Sequence, residues 1–561
     1  MADTGSNYWQ RFTQARLSRR RALIGAGTLG AGAAALSVVG CGGGNNGGSS
    51  SGAQSGASSN NEGTPKAGGT YTWGGTGTFA GIDPHSSVYG GSALVPLIYN
   101  YLLRTHILAP QEGILYDLAS SHEAPADKVT WVFKIRPGVK INPNGTTVPA
   151  RDLDATDVKA NFDRISDSKL GLNGYAFMNQ YIDKWDAPDA QTFRLITKQP
   201  YAFVLNNVGN NLIAAMAPKE WLQSPELKTK AVGGGPFIFT EETENAQGVV
   251  SKNPNYYVSG KPYLDRDILK YFADQATVRT AFQSSQLDSY GAANPGEAKE
   301  IQQNRADTVY YQDPNFGFLS FWMNIKEKPW DDARVRRAVS RAINRDEYVQ
   351  LISQSTGKPS GLIVPSMTDY ALPQDELSSK LQPFNLSDAK QLFQAAGITS
   401  FDFQHPTSGS TTTDYVNIFV RQMQAAGITA KAQPQDAATW LSQYFNSKLT
   451  ASISLNQDYQ TPDVALQWYK TGGITGNGKY DTGFSDKEVD AALDKAASTI
   501  DDTQRKEAYL VAQRLIYSKD PPFLNFINSP SNTLIAKALK GVHRGVASLY
   551  TAFVPGYWLD R

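Results

Sequence analysis

The chain has 561 residues, enough for more than one domain, and 53 basic residues against 52 acidic ones leave a formal net charge of +1. That balance argues against a nucleic-acid partner held by global charge. A single cysteine allows neither an intramolecular disulfide nor a thiolate metal cluster, and 27 Tyr, 24 Phe and 10 Trp against five His favour binding by burial and stacking over proton shuttling.

In chain order, the first feature is a positive segment with Arg16, Arg19, Arg20 and Arg21, followed by a small-residue apolar run from Ala22 to Gly40. A positive start before an apolar stretch is the layout of an export signal. Ser18-Arg19-Arg20-Arg21-Ala22-Leu23 resembles the twin-arginine signal, with Arg19 and Arg20 as its pair. Val38-Val39-Gly40-Cys41 resembles a bacterial lipobox, which implies cleavage before Cys41 and lipidation of its sulfur. The same stretch contains GAGTLG (Gly25 to Gly30), a literal G-x-G-x-x-G. A dinucleotide site also needs a preceding strand, a following helix and an acidic residue about 20 positions on, and none is found here. Residues 1–40 are therefore expected to be a signal peptide, and 41–65, rich in Gly, Ser and Asn, a flexible tether. No later run is long and apolar enough to cross a bilayer.

Order is expected to begin near Pro65 to Gly69, followed by the strand-like TYTWGG. In TWVFKIR (130–136), Trp131, Phe133 and Ile135 alternate with Val132, Lys134 and Arg136, the period of a half-buried strand, closed by Pro137-Gly138. DATDVKANFDRI (154–165) reads as a helix beginning near Thr156, and TFRLITKQP (192–200) as another strand. VLNNVGNN (204–211) reads as an Asn-Gly loop able to turn the chain or supply amide hydrogen bonds. Val335, Ala338, Val339, Ala342 and Ile343 form one helical stripe, with acidic residues at its start. LSDAKQLFQAAGI and TTTDYVNIFVRQMQAAGI both end in Ala-Ala-Gly-Ile, which makes Gly397 and Gly427 natural left-handed caps before strand-like runs. Ser485-Asp486-Lys487-Glu488 reads as a capping box. KDPPFLNFINSPSNTL reads as a turn and apolar strand, and AFVPGYWLD is aromatic enough to dock. The alternation of helices and strands is α/β material.

Several of these blocks together resemble the bacterial extracellular solute-binding proteins of family 5, the peptide- and nickel-type receptors of ABC importers. They are WVFKIRPGVKINPNGTTVPARDLDATDVKANFDRI, VGGGPFIF (232–239), KNPNYYVSGKPYLDRDILKYFAD and ARVRRAVSRAINRDEYV, in the family's order from about Gly68 to the C-terminus. In the last block Asn344 stands where the family has Asp, and INPNGTTVPARDLDA lengthens a usually short turn. The resemblance implies an α/β, two-lobed periplasmic-binding-protein-like fold of the class II type, with a hinge between the lobes. The first lobe would comprise 66–103, 230–312 and 529–561, with 104–229 as an inserted subdomain, and the second 313–528. It further implies a monomeric, lipid-anchored, extracytoplasmic receptor that delivers a peptide or other small solute to a membrane permease. No catalysis, cofactor, metal or nucleic acid is expected.

An extended peptide binds through its main chain, but its α-ammonium needs a desolvated carboxylate. In the oligopeptide-binding branch that carboxylate lies in an Asp-Tyr-x-x-Pro segment, matched here by Asp458-Tyr459-Gln460-Thr461-Pro462. Asp458 is thus the candidate anchor, set against a solvated loop aspartate, with Tyr459 beside it. The family often has Trp shortly before this Asp, where this chain has Ser454-Leu455-Asn456. Asp463 reads as a surface turn residue or as a second charge for a cationic ligand. Tyr175 resembles a first-lobe tyrosine facing the cleft, and Asn315, Phe316 and Trp322 are placed to line it near the crossover; core packing is the competing reading for the aromatic residues.

The rival readings are the same receptor role for an oligosaccharide, an opine-like compound or a nickel chelate, an exported hydrolase using the cleft, and a structural surface lipoprotein. The mature chain has no G-x-S-x-G, P-loop or H-E-x-x-H, and His85, His106, His122, His405 and His543 are dispersed singly.

Overall fold

The structure, a computed structural model, describes residues 63–561 apart from 77–80, 86–92, 105–113, 173, 210–214, 244–245, 408–409, 457–460, 473–480 and 543–553. Arg19, Arg20, Cys41, Asp458 and Tyr459 lie outside the described residues.

The expected period-two strand forms over Thr130–Ile135, with Trp131, Phe133 and Ile135 buried on one face. It is the second strand of an antiparallel sheet ordered Ala119–Glu123, Thr130–Ile135, Thr192–Thr197, Ile182–Asp189. The helix beside it runs Ala155–Ile165. Asp154 caps it by accepting from the Thr156 and Asp157 amides, while the Asp157 side chain accepts from the Asp154 amide.

A second four-stranded sheet pairs Thr70–Thr76 in parallel with Arg266–Phe272, then adds Gln247–Lys252 and Phe237–Thr243. The Val232–Gly235 stretch feeds this sheet by passing close to another backbone. Gly235 donates to Ile98 O, and a Cβ at Gly235 would stand 2.5 Å from that oxygen, so only glycine fits.

The largest sheet has six strands, ordered Lys358–Pro359, Phe523–Asn528, Phe318–Met323, Ala451–Asn456, Ser400–Pro406, Thr429–Gln435. Its last two strands are parallel, joined by the helix Ser410–Ala425. The caps fall as expected, with Gly397 at φ +69° and Gly427 at φ +83°. The helix Ala333–Ala342 buries its Val335, Ala338, Val339 and Ala342 stripe. The expected capping box shifts by one residue: Asp486, not Ser485, caps Lys487–Ser498, accepting from the Glu488 and Val489 amides, while Ser485 Oγ pairs with Thr471 Oγ1.

A three-stranded sheet, Ser289–Ala292, Ser531–Ala536 and Thr308–Asp313, connects directly to the six-stranded one. Two short crossings make the connection: 314–317 after Asp313, and 529–530 after Asn528. Asn528 ties them together. Its Nδ2 donates to Asn315 O and Gly317 O, both at 2.8 Å, and its Oδ1 accepts from Ser366 Oγ. The C-terminal aromatic segment docks as expected: Trp558–Leu559 pairs with Leu539–Lys540, and Tyr557, Trp558 and Leu559 are buried. The architecture is thus α/β and two-lobed, joined at the crossings.

Candidate functional site

The strand Phe318–Met323 is buried at every position, because helices cover one face of its sheet and an aromatic layer covers the other. Trp322 belongs to that layer. It has no exposed surface, packs edge-on to Tyr444 at 5.9 Å, and its Nε1 donates to Ser454 Oγ at 3.4 Å. Phe316 is likewise buried. For both, the structure favours core packing over the expected cleft lining. Asn315 sits in the first crossing, where its Oδ1 accepts from Gly317 N at 2.9 Å, so its side chain shapes the turn. Tyr175 opens the helix Tyr175–Tyr181 and is half-buried; the far end of the same helix reaches the site below.

The centre of that site is Asp463, for which the sequence leaves open a surface turn or a second charge. It is instead 5% exposed, at the second position of the helix Pro462–Leu466. Tyr201, 262 residues earlier, donates its hydroxyl hydrogen to Asp463 Oδ2. The tyrosine is itself oriented. Asn207 Nδ2 donates to the Tyr201 hydroxyl oxygen at 2.9 Å, leaving the O–H for the carboxylate. Asn207 lies on the helix Val204–Val208, so the segment read as a loop is partly helical and does supply an amide. Tyr201 belongs to the part of the chain carrying the sheet that includes Thr130–Ile135, and Asp463 to the part carrying the six-stranded sheet. Their hydrogen bond therefore links the two parts of the chain that carry these sheets.

Aromatic rings enclose this contact. Tyr181 stacks on Tyr201 with centroids 4.0 Å apart, Tyr201 meets Phe203 edge-on, and Phe203 packs against Tyr370 and Tyr509 from the second lobe. A small recess, with room for about one water-sized group, opens beside Asp463, lined among others by Tyr181, Gln467, Lys470, Asp494 and Tyr509. Lys470 Nζ is ion-paired with Asp494 Oδ1. Burial pushes the Asp463 carboxyl above the usual carboxylate range, while neighbouring hydroxyl and backbone N–H groups pull it back. The hydroxyls of Tyr181, Tyr201 and Tyr509 are held well above their ordinary value, by burial first and then by Asp463. Among the described residues, Asp463 Oδ1, Thr461 Oγ1, Gln467 Oε1 and the Tyr509 hydroxyl have no hydrogen-bond partner.

Tyr201→Phe removes the hydroxyl that donates to Asp463 Oδ2. The expected result is a loss of about 1.5–3 kcal/mol, the range for a hydrogen bond to a charged group, in urea unfolding. An unchanged unfolding midpoint would show that the contact adds nothing to the native state. Scattering should also show a larger radius of gyration for the solute-free variant.

The remaining chemistry is dispersed. Among the described residues no three His, Cys, Asp or Glu side chains converge as metal ligands. His85 lies against Arg164 and Ala215, and His122 against Tyr116 and Trp131. No helix among the described residues is long and apolar enough to cross a membrane. A buried, acceptor-rich seam between two lobes suits the capture of a solute.

Comparison with known proteins agrees. Di/tripeptide-binding protein 2 of Pseudomonas aeruginosa is 24% identical over 471 residues, covering 79% of this chain and 86% of that protein. The glutathione-binding protein GsiB of Escherichia coli K12 is 26% identical over 422 residues, covering 72% and 78%. The fold is similar to that of the periplasmic binding protein DppA from Helicobacter pylori in complex with the peptide STSA, with a TM-score of 0.77 at 20% identity, covering 88% of this chain and 99% of that one. The family model for bacterial extracellular solute-binding proteins, family 5 (middle region), matches residues 113–477. That span is more than half of the 561-residue chain and holds both Tyr201 and Asp463, and the chain belongs to the bacterial extracellular solute-binding proteins of family 5.

Proposed function

We propose that this protein is the extracytoplasmic receptor of an ABC importer, capturing a peptide or peptide-like solute between its lobes and presenting it to a membrane permease. The observation that carries the reading is the Tyr201–Asp463 contact, an interlobe hydrogen bond inside a buried seam whose acceptors lack donors. Each buried acceptor left unpaired costs about 1–3 kcal/mol, so a solute that supplies donors favours the closed arrangement. It shifts the open–closed balance only by its difference in affinity for the two states. No chemistry on the solute is needed, and the family's members are binding proteins rather than enzymes. The di/tripeptide- and glutathione-binding relatives support a peptide-like solute.

Within this reading the first lobe comprises 66–103, 230–312 and 529–561 with 104–229 inserted, and the second 313–528. Asp458 anchors the α-ammonium, with Tyr459 and Tyr175 near the solute. Leu455, 54% exposed on the strand leading to Asp458, fits an apolar wall where the family often has Trp. Arg19 and Arg20 direct export by the twin-arginine route, and lipidated Cys41 tethers a monomer to the membrane.

Native mass spectrometry of the purified protein tests the solute class. A ladder of co-purified peptides supports the reading, and a single oligosaccharide or opine overturns its peptide part. Asp458→Ala should weaken free-amine peptides about tenfold or more, as expected for loss of a charge-assisted hydrogen bond, and leave N-acetylated ones unaffected. Equal binding of free-amine peptides by variant and wild type would remove Asp458 as the anchor.

A further inference from the structure

The polar atoms without partners around the Asp463 recess share one property. Asp463 Oδ1 and Gln467 Oε1 are pure acceptors, and the Tyr509 and Thr461 hydroxyls accept as readily as they donate. The seam is therefore short of donors. It is also short of positive charge. Of the charged residues lining the recess, Lys470 is already paired with Asp494, which leaves the Asp463 carboxylate without a counterion. Asp463 is 5% exposed and Gln467 is 6% exposed, so water is a poor substitute for either missing partner.

We infer that the Asp463 recess is a subsite for a cationic side group of the solute, a primary ammonium carried in addition to any α-ammonium. Such a group brings several N–H donors and one positive charge, which together match what the recess lacks. The inference deepens the receptor reading above and rests on it, and it names basic peptides and polyamines as the favoured solute class. Burial already drives the Asp463 carboxyl toward its neutral form, and a cation beside it would restore the charge. Tyr201, by contrast, supplies a single neutral donor and satisfies only one oxygen.

The test is calorimetric titration of the full mature chain with Ala-Lys-Ala, Ala-norleucine-Ala and spermidine, for the wild type, Asp463→Asn and Tyr201→Phe. The two peptides differ only in the terminal group of one side chain. For the wild type the lysine peptide should bind about tenfold or more tighter than the norleucine peptide, as expected for a desolvated charge-assisted contact. Asp463→Asn should bring that ratio to within about twofold, because the amide keeps the shape and loses the charge. Tyr201→Phe should weaken both peptides together and preserve the ratio. Circular dichroism melts of each variant establish that the comparison is between folded proteins.

Equal binding of the two peptides by the wild type overturns the subsite while the peptide-receptor reading stands. A lysine preference that survives Asp463→Asn, or that is lost equally in Tyr201→Phe, also overturns it. If neither peptide binds but spermidine does, and only with Asp463 present, the subsite is supported and the peptide reading fails. If none of the three probes binds, both fail.

Discussion

Replacing Arg164 by methionine should cost about 3–5 kcal/mol at pH 8 in urea unfolding, the range for breaking a buried ion pair from one side. Arg164 Nη2 lies 2.7 Å from Asp83 Oδ2, and its Nη1 lies 3.0 Å from Asp83 Oδ1, with both side chains almost out of solvent. The same Nη1 donates to His85 Nδ1 at 2.9 Å, while His85 Nε2 donates to Ala215 O. Burial, reinforced by the Arg164 charge, lowers His85 from its ordinary 6.5 to about 4, against an upward pull from Asp83. The folded protein therefore keeps His85 neutral where the unfolded chain protonates it, so this residue costs stability as pH falls from 6.5 toward 4. Removing Arg164 reverses the balance. The vacated position lets His85 take a proton and serve Asp83 as a substitute counterion. The loss should thus be smaller at pH 5 than at pH 8, and an equal loss at both would show that His85 does not act in this way.

Phe321→Ala should cost a further large amount, about 3–5 kcal/mol by the measure of buried phenylalanine truncations. Phe321 is fully buried at the centre of the six-stranded sheet and touches four aromatic neighbours. It stacks on Phe419 at 4.6 Å and meets Trp330, Phe401 and Phe403 at 5.7, 6.3 and 6.0 Å. These rings come from one other strand, a helix and a loop, so the cavity cannot close by moving one element. Denaturant unfolding followed by Trp330 fluorescence reads the loss, and Phe321→Leu should recover more than half of it. A cost below about 1 kcal/mol would mean that the site collapses around the missing ring.

Features set by local rules were legible in the sequence. The alternation of Trp131, Phe133 and Ile135 marked a strand with one buried face, and Gly397 and Gly427 marked helix ends because only a left-handed residue closes them there. Family blocks extended this to a two-lobed architecture. What escaped were properties set by distant partners. FLSFWM looked like a strand with one face toward a cleft, yet both faces are covered, so alternation says nothing about which side chains meet solute. Asp463 follows a proline at a helix start, which locally reads as a surface turn; its burial depends on Tyr201, 262 residues earlier in the chain. One signal was available. Val464, Ala465 and Leu466 leave the short helix with scarcely a polar face, and Trp468 and Tyr469 continue the apolar run just after it; a helix apolar nearly all round is a buried one.

The two crossings at 314–317 and 529–530, tied by Asn528, also bear on how the lobes find each other. Surfaces joined by tethers this short meet intramolecularly, at an effective concentration set by tether length and independent of how much protein is present. The entropy that two separate proteins lose on association is already spent in the covalent connection. A contact as small as one tyrosine–carboxylate hydrogen bond is then enough to alter the balance of lobe positions, although between free molecules it would leave no measurable complex.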